Sequence, residues 1–168
     1  MIKKKTSKLI RLSKKYNFTL SVAESCTGGL LSSSIIQESG ASNFFHMGFI
    51  TYSNKAKINI LSVNPNIIKK YGAVSEETAL EMVKGVYKKT KSDLSISITG
   101  VAGPRGGTKI NPVGTVCFGI GINCKDKPII YKTIKKKFNL RTRIGIQRKS
   151  VVFVLDNLIE IILTHKFD

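Results

Sequence analysis

The sequence predicts an α/β fold, with residues 1–168 forming a single domain in which helices cover both faces of a mixed sheet. Segments with helical spacing of apolar residues alternate with short β-branched segments along the chain. Near the C-terminus two strand-like segments follow each other directly, which favours a mixed sheet over a wholly parallel one. The chain has 168 residues, 42% of them hydrophobic, which suits one domain with its own core.

Residues 2–16 have the spacing of an amphipathic surface helix. Leu9, Leu12 and Tyr16 fall on one face of this helix, and basic residues occupy another. A strand, an apolar helix and a second strand follow. We predict them at residues 18–23, 30–36 and 44–52, with Gly40 as the stop signal of the helix.

The helix at residues 75–89 has the clearest start signal in the chain. Ser75 is a suitable N-cap, and Glu76 and Glu77 place negative charge in the first turn. Pro65 breaks the pattern upstream of it.

A strand with one apolar and one hydroxyl-bearing face follows at residues 94–100. Leucine and isoleucine alternate there with serine and threonine. A loop rich in glycine and proline separates this strand from the final elements. We predict these as a β-hairpin of residues 115–122 and 129–138 around Asp126, and a closing helix over residues 144–162.

The chain is strongly basic, with 28 Lys and Arg against 10 Asp and Glu and a net charge of +18. Such a charge suggests binding to nucleic acid or to an anionic membrane surface. Only five of the basic residues are arginine, and tryptophan is absent, whereas nucleic-acid readers rely on arginine and on aromatic stacking. We therefore expect no specific nucleic acid and no membrane as partner, and a basic binding domain remains the alternative function.

Cysteine and histidine usage indicates the compartment and the cofactor requirement. Cys26, Cys117 and Cys124 form no C-x-x-C pair, and His46 and His165 lie far apart, which disfavours a disulfide framework or a metal site. The chain shows no signal peptide and no apolar segment of membrane-spanning length. We expect a cytoplasmic protein without a metal or other cofactor.

Ser25 is a candidate nucleophile because it lies between a predicted strand and a predicted helix. The backbone N–H groups of Cys26 and Thr27 are free there to hold an anion or an oxyanion. An ordinary helix N-cap would look the same in sequence. Cys26 is the rival nucleophile, because a thiol is intrinsically more reactive.

A serine nucleophile needs a base, and the two histidines are poorly placed to supply it. Lysine can replace histidine where desolvation and neighbouring cations lower its pKa. Lys55 and Lys57 follow Tyr52, but composition alone does not select one lysine among the 23 in the chain.

The loop at residues 100–107 is rich in glycine and includes Gly103. Its backbone amides are suited to approach a phosphate, with Arg105 or Lys109 adding charge. The segment matches neither the P-loop nor the G-x-G-x-x-G fingerprint, and a tight turn between strands explains it equally well.

Five ordered motifs occur along the chain: AESCTGG at 23–29, TYSNKAK at 51–57, YGAVS at 71–75, TGVAGP at 99–104 and PVGTV at 112–116. Together they resemble the motifs of the CinA C-terminal domain family, over about residues 5 to 165. Characterised members of that family are nicotinamide mononucleotide amidohydrolases with a three-layer α/β/α fold. The resemblance thus implies a pyridine nucleotide as the small-molecule substrate.

The resemblance also implies a Ser/Lys dyad. The matching positions are Ser25 for the nucleophile and Lys57 for its base, while Tyr52 and Thr99 match residues that line the family's site. By this resemblance the dyad forms an acyl-enzyme without a metal. Its oxyanion and substrate contacts are expected from Cys26, Thr27, Gly28 and Gly103.

The sequence departs from the family pattern at three places. Lys55 replaces an acidic residue, residues 108–111 (TKIN) replace an acidic loop, and FNLRTR at 138–143 replaces Phe-x-Gly-x-Arg. Either Arg143 or Arg141 can supply the family's arginine. These changes leave open a scaffold whose catalysis has decayed. Dimers are common among such domains, so a homodimer is the assembly to test.

Overall fold

Six α-helices and five strands occur in the part of the chain that this computed structural model describes, residues 1–125, 127–165 and 167. The elements, in chain order, are α1 (Ile2–Tyr16), β1 (Leu20–Glu24), α2 (Leu30–Ile36), a 3₁₀ turn (Ala41–Asn43), β2 (Phe45–Ile50), α3 (Asn54–Leu61), α4 (Pro65–Tyr71), α5 (Glu76–Thr90), β3 (Leu94–Gly100), β4 (Thr115–Ile122), β5 (Ile130–Lys137) and α6 (Arg143–His165).

The strands form one mixed sheet with the order β2-β1-β3-β4-β5. The first three strands in this order are parallel, whereas β4 pairs antiparallel with both β3 and β5. The predicted mixed sheet and the β4–β5 pairing are therefore confirmed. Asp126, the predicted centre of the hairpin, lies outside the described residues.

Helices cover both faces of the sheet, which confirms the predicted α/β/α architecture. Val22, Ile96 and Ile120 stand side by side on one face and pack against apolar residues of α1, α2 and α6. On the opposite face, Ala23 joins a second cluster with residues of α3, α4 and α5. Strand alternation thus builds two cores, one on each side of the sheet.

The hydroxyl-bearing face of β3 lets α5 lie close to the sheet. The Ser97 hydroxyl donates to the Ala79 carbonyl of α5 across 2.6 Å. A Cβ atom on Gly119 of β4 would approach that same carbonyl oxygen to 2.5 Å, so only glycine fits. The predicted alternation is confirmed, and its small residues account for the close packing of α5.

Two sequence-based predictions about element ends are wrong. Pro65 does not break the structure but begins α4 with Asn64 as N-cap, because a proline at the first helical position gives up no hydrogen bond. Gly40 does not end α2, which stops at Ile36. Gly40 instead precedes the 3₁₀ turn with a φ of 93°, a conformation that favours glycine.

The closing helix α6 spans residues 143–165 and packs along α1. Lys5 and Asp156 form an ion pair between the two helices. Across residues 1–125 and 127–165, no helix combines the length and apolar composition needed to cross a membrane.

Candidate active site

Ser25 lies directly after β1, at the C-terminal edge of the parallel strands, where α/β proteins place their ligands. Its N–H donates to the Ile98 carbonyl of β3 across 2.9 Å, and only 6% of the residue is exposed. The buried Glu24 carboxylate accepts hydrogen bonds from the N–H groups of Leu31 and Ser32 at the start of α2. The loop between β1 and α2 is therefore held at both ends.

Lys57 enters the same site from α3. Ser53 caps this helix by accepting a hydrogen bond from the Ala56 N–H, and Lys57 is 1% exposed. The Lys57 Nζ lies 3.0 Å from the Ser25 Oγ and 2.8 Å from the Thr51 carbonyl oxygen. The predicted nucleophile and the predicted base are thus in hydrogen-bond contact.

Burial of Lys57 lowers the pKa of its amine from 10.5 to about 8, although the nearby Cys26 acts in the opposite direction. Desolvation has this effect because it disfavours the charged ammonium form. A buried lysine with such a pKa has a sizeable neutral fraction near neutral pH. Neutral amine is the form that can accept the proton of a serine hydroxyl.

Cys26, the rival nucleophile, is placed in an environment that keeps its thiol protonated. The residue is 4% exposed, and burial raises the pKa of its thiol to about 12. The thiolate, which is the reactive form, is therefore scarce at neutral pH. The electrostatics favour Ser25 over Cys26.

A cavity of about 310 Å³ opens beside the Ser25–Lys57 contact. Seven of the predicted site residues line it: Ser25, Cys26, Tyr52, Lys57, Thr99, Gly103 and Arg143. Arg105 also lines this cavity, and no aspartate or glutamate of the described residues does. Arg105 and Arg143 therefore make the cavity wall positively charged, whether or not Lys57 is protonated.

Arg143, at the first turn of α6, spans two loops at this cavity. Its guanidinium donates to the Gly103 carbonyl across 2.6 Å and to the Tyr52 hydroxyl across 2.9 Å. Arg141 is exposed and does not line the cavity. The structure thus resolves the choice between the two arginines in favour of Arg143 as the cavity residue.

Thr99 lines the cavity, but its hydroxyl already donates a hydrogen bond within the protein. It donates to the Ala73 carbonyl across 2.7 Å and so fixes the loop before α5, part of which forms the cavity wall. Thr27 and Gly28 do not line this cavity. They line a neighbouring cavity of about 420 Å³, and the contacts expected from Thr27 and Gly28 with an oxyanion or substrate stay a prediction.

Gln147 belongs to the surroundings of the site and was not predicted from the sequence. Its side-chain amide donates to the Cys26 carbonyl across 2.8 Å. Gln147 lies four residues after Arg143, so both residues project from the same face of α6. That spacing was the only signal in the sequence, and it needed the start of α6 to be known.

A separate cavity of about 700 Å³ lies among α1, α2 and α6, and neither Ser25 nor Lys57 lines it. Among the residues that the structure describes, no group of three or more His, Cys, Asp or Glu side chains is arranged to hold a metal ion.

The sequence model of the CinA C-terminal domain matches residues 2–162. The chain belongs to the CinA C-terminal domain family. It is 44% identical over 149 residues to a CinA-like protein of Kosmotoga olearia, covering 88% of this chain and 34% of that protein. It is 50% identical over 114 residues to a CinA-like protein of Chloroherpeton thalassium, covering 68% of this chain and 27% of that protein. The chain thus spans about a third or less of these curated relatives.

Solved CinA superfamily structures match the fold of this CinA-family chain over nearly its whole length. A CinA superfamily protein from Klebsiella pneumoniae superposes with a TM-score of 0.89 at 30% identity, covering 98% of this chain and 99% of that one. A CinA superfamily protein from Escherichia coli superposes with a TM-score of 0.85 at 34% identity, covering 96% of this chain and 90% of that one. These matches confirm both the predicted family and the predicted fold class.

Proposed function

We propose that this CinA-family chain is an amidohydrolase that converts nicotinamide mononucleotide and water into nicotinate mononucleotide and ammonia. The observation that carries the proposal is the buried contact of 3.0 Å between the Lys57 Nζ and the Ser25 Oγ. A hydroxyl paired with a desolvated amine is the arrangement that activates a serine for attack on an acyl carbon.

The surroundings of Lys57 suit a base that works in its neutral form. Its Nζ lies 2.8 Å from the Thr51 carbonyl oxygen and 3.5 Å from the Tyr52 carbonyl oxygen. A neutral amine has two N–H bonds and one lone pair. With the two N–H bonds directed at the two carbonyls, the lone pair is left for the Ser25 hydroxyl proton.

The reaction then proceeds in two steps through a covalent intermediate. Ser25 Oγ bonds to the carboxamide carbon while its proton passes to Lys57. The C–N bond breaks as Lys57 returns this proton to the departing ammonia. Water next attacks the acyl-serine with Lys57 again as base, releasing the carboxylate and restoring Ser25. Backbone N–H groups of Cys26 and Thr27 are assigned to the oxyanion that forms in each step.

The charge of the cavity supports an anionic substrate. Arg143 and Arg105 line it, and no carboxylate in the described part of the chain does, so the phosphate of a mononucleotide has two candidate cationic partners. The volume of about 310 Å³ is within the range of sites for small molecules. The pyridinium cation of the substrate would further disfavour the ammonium form of Lys57.

Release of ammonia from nicotinamide mononucleotide by the purified protein tests this proposal. We expect Ser25→Ala to lower turnover by about 10³-fold or more, because the residue supplies the bond-forming oxygen. Ser33→Ala is the matched control, since Ser33 is exposed on α2, and it should stay within about twofold of the wild type. Nicotinamide riboside, which lacks the phosphate, should show a higher KM.

Full turnover by the folded Ser25→Ala protein would contradict the mechanism. No turnover by the folded wild type at micromolar concentration would contradict the activity itself. That second result would favour a scaffold with decayed catalysis.

A further inference from the structure

Two buried residues in the loop between β1 and α2 have backbone N–H groups that lack a hydrogen-bond acceptor among the described residues. Cys26 and Thr27 are 4% and 3% exposed, yet their N–H groups donate no hydrogen bond to another residue in the described part of the chain. Unpaired buried N–H groups are costly and rare in folded proteins. Donors kept free beside a nucleophile are suited to an oxyanion.

Within residues 1–125, 127–165 and 167, the peptide group between Cys26 and Thr27 has one hydrogen-bond partner, which lies on the distant helix α6. The Gln147 side-chain amide donates to the Cys26 carbonyl across 2.8 Å, although the two residues are 121 positions apart. In a trans peptide the N–H points opposite to the C=O. Holding the Cys26 carbonyl towards α6 therefore also fixes the direction of the Thr27 N–H.

Other backbone groups of this loop are held by the sheet or by the loop itself. The Ser25 N–H donates to the Ile98 carbonyl of β3, and the Gly28 N–H donates to the Ser25 carbonyl. Neither bond involves the carbonyl of Cys26 or the N–H of Thr27. The orientation of this one peptide thus depends on Gln147.

The helix that carries Gln147 is a firm support. Ile146 and Ser150 flank it on the buried side of α6 with 0% exposure, and Thr142 caps the helix start by accepting from the Gly145 N–H. Arg143, one turn earlier, contacts Gly103 and Tyr52 in the cavity. The first two turns of α6 therefore contact both the cavity wall and the nucleophile loop.

We propose that Gln147 is a positioning residue that orients the Cys26–Thr27 peptide so that the Thr27 N–H can stabilise the oxyanion. The role rests on the proposed function, since it presumes attack by Ser25 on an acyl or phosphoryl centre. It assigns to Gln147 no contact with substrate. Gln147 should therefore affect the rate of the covalent step and not the affinity for substrate.

Labelling of Ser25 by a fluorophosphonate tests the proposal without an amide substrate. Ser25 Oγ bonds to phosphorus as the P–F bond breaks, fluoride leaves, and the hydroxyl proton passes to Lys57. The phosphoryl oxygen takes the place of the oxyanion. Mass spectrometry of the Ser25 peptide gives the rate, and ammonia release from nicotinamide mononucleotide is measured in parallel.

Three variants of Gln147 separate hydrogen bonding from shape. Gln147→Glu puts an acceptor against the Cys26 carbonyl and should slow labelling by about 30- to 100-fold, while Gln147→Leu removes the donor and should slow it by about 10-fold. Gln147→Lys keeps a donor and should stay within about threefold. Arg148→Ala is the matched control, because Arg148 is the exposed neighbour on α6, and it should label at the wild-type rate.

In turnover, the Gln147→Glu and Gln147→Leu variants should lose kcat with KM within about threefold, and thermal unfolding should confirm that they are folded. Equal labelling rates for the folded wild type, Gln147→Glu and Gln147→Leu proteins would overturn the proposal. So would a wild type that is not labelled at Ser25. A wild type that is labelled but releases no ammonia would contradict the proposed substrate, and the variants' labelling rates would still decide the role of Gln147.

Discussion

The lysines of β5 and the lysine of α3 show how differently one residue type is used in this molecule. Lys132, Lys135, Lys136 and Lys137 are exposed on the outer strand of the sheet, where charge discourages pairing with another sheet edge. Lys57 is 1% exposed and touches the Ser25 hydroxyl. Burial, rather than the abundance of lysine, creates a chemically useful amine.

The same contrast exists within α3, over two residues. Lys55 is exposed, whereas Lys57 points into the protein with a pKa lowered by burial. Substitutions at these two positions compare solvated and desolvated lysine in one helix.

The largest effect is expected from Lys57→Met, which keeps the apolar stem and removes the base. Turnover of nicotinamide mononucleotide should fall by about 10³-fold or more, since Ser25 then has no group to accept its proton. Lys55→Met should stay within about threefold. Similar losses in both variants, measured by ammonia release, would show that general positive charge and not a buried base is at work.

The second-largest effect is expected from a change of pH. Because the pKa of Lys57 is about 8, the neutral fraction of its amine increases roughly tenfold per pH unit below that value. The value of kcat/KM should rise in the same proportion and become constant above pH 8. A solvated lysine would instead place the midpoint near 10.5. A profile of kcat/KM that is flat between pH 6 and pH 8 would contradict a neutral lysine base.

Removal of the cavity arginine should act on substrate binding. Arg143→Ala should raise the KM for nicotinamide mononucleotide by about 10- to 100-fold, because a charge-assisted contact to phosphate is lost. Arg141→Ala, two residues away and outside the cavity, should change KM by less than about twofold. The riboside should not distinguish Arg143→Ala from the wild type, and an equal penalty on riboside and nucleotide would remove the phosphate assignment.

The smallest effect is on stability. The pKa of Lys57 is lower in the folded protein than in the unfolded chain, so the unfolded state binds more protons between pH 8 and about 10.5. The free energy of unfolding of the wild type should therefore rise by about 2 kcal/mol relative to Lys57→Met as pH increases from 8 to 10. Denaturant titrations of both proteins measure this difference, and parallel curves would show that Lys57 is not desolvated.

The elements were largely predictable because their signals are local. The apolar spacing of residues 2–16 predicted both ends of α1 as observed, and the alternation in β3 predicted the two faces of that strand. Pro65 was misread because a proline that breaks a helix and one that begins a helix look alike until the helix start is known.

The candidate site was predictable only in part. Ser25 could be singled out by its place between a strand and a helix, but the choice of Lys57 among 23 lysines came from the family resemblance. Gln147 could not be found, because its partner is a backbone carbonyl 121 residues away and carbonyls leave no mark on sequence. Arg143 was distinguished from Arg141 only by the start of α6 and the position of the cavity.

In the proposed mechanism Ser25 attacks the substrate with Lys57 as its base. Rapid acid quenching during turnover of nicotinamide mononucleotide, followed by mass spectrometry of the intact protein and its peptides, tests it most directly. We expect a nicotinate mononucleotide acyl group on Ser25 in the wild type and in Lys55→Met, and none in Lys57→Met. Active wild-type protein with no acyl group on Ser25, or with the group on Cys26, would contradict it.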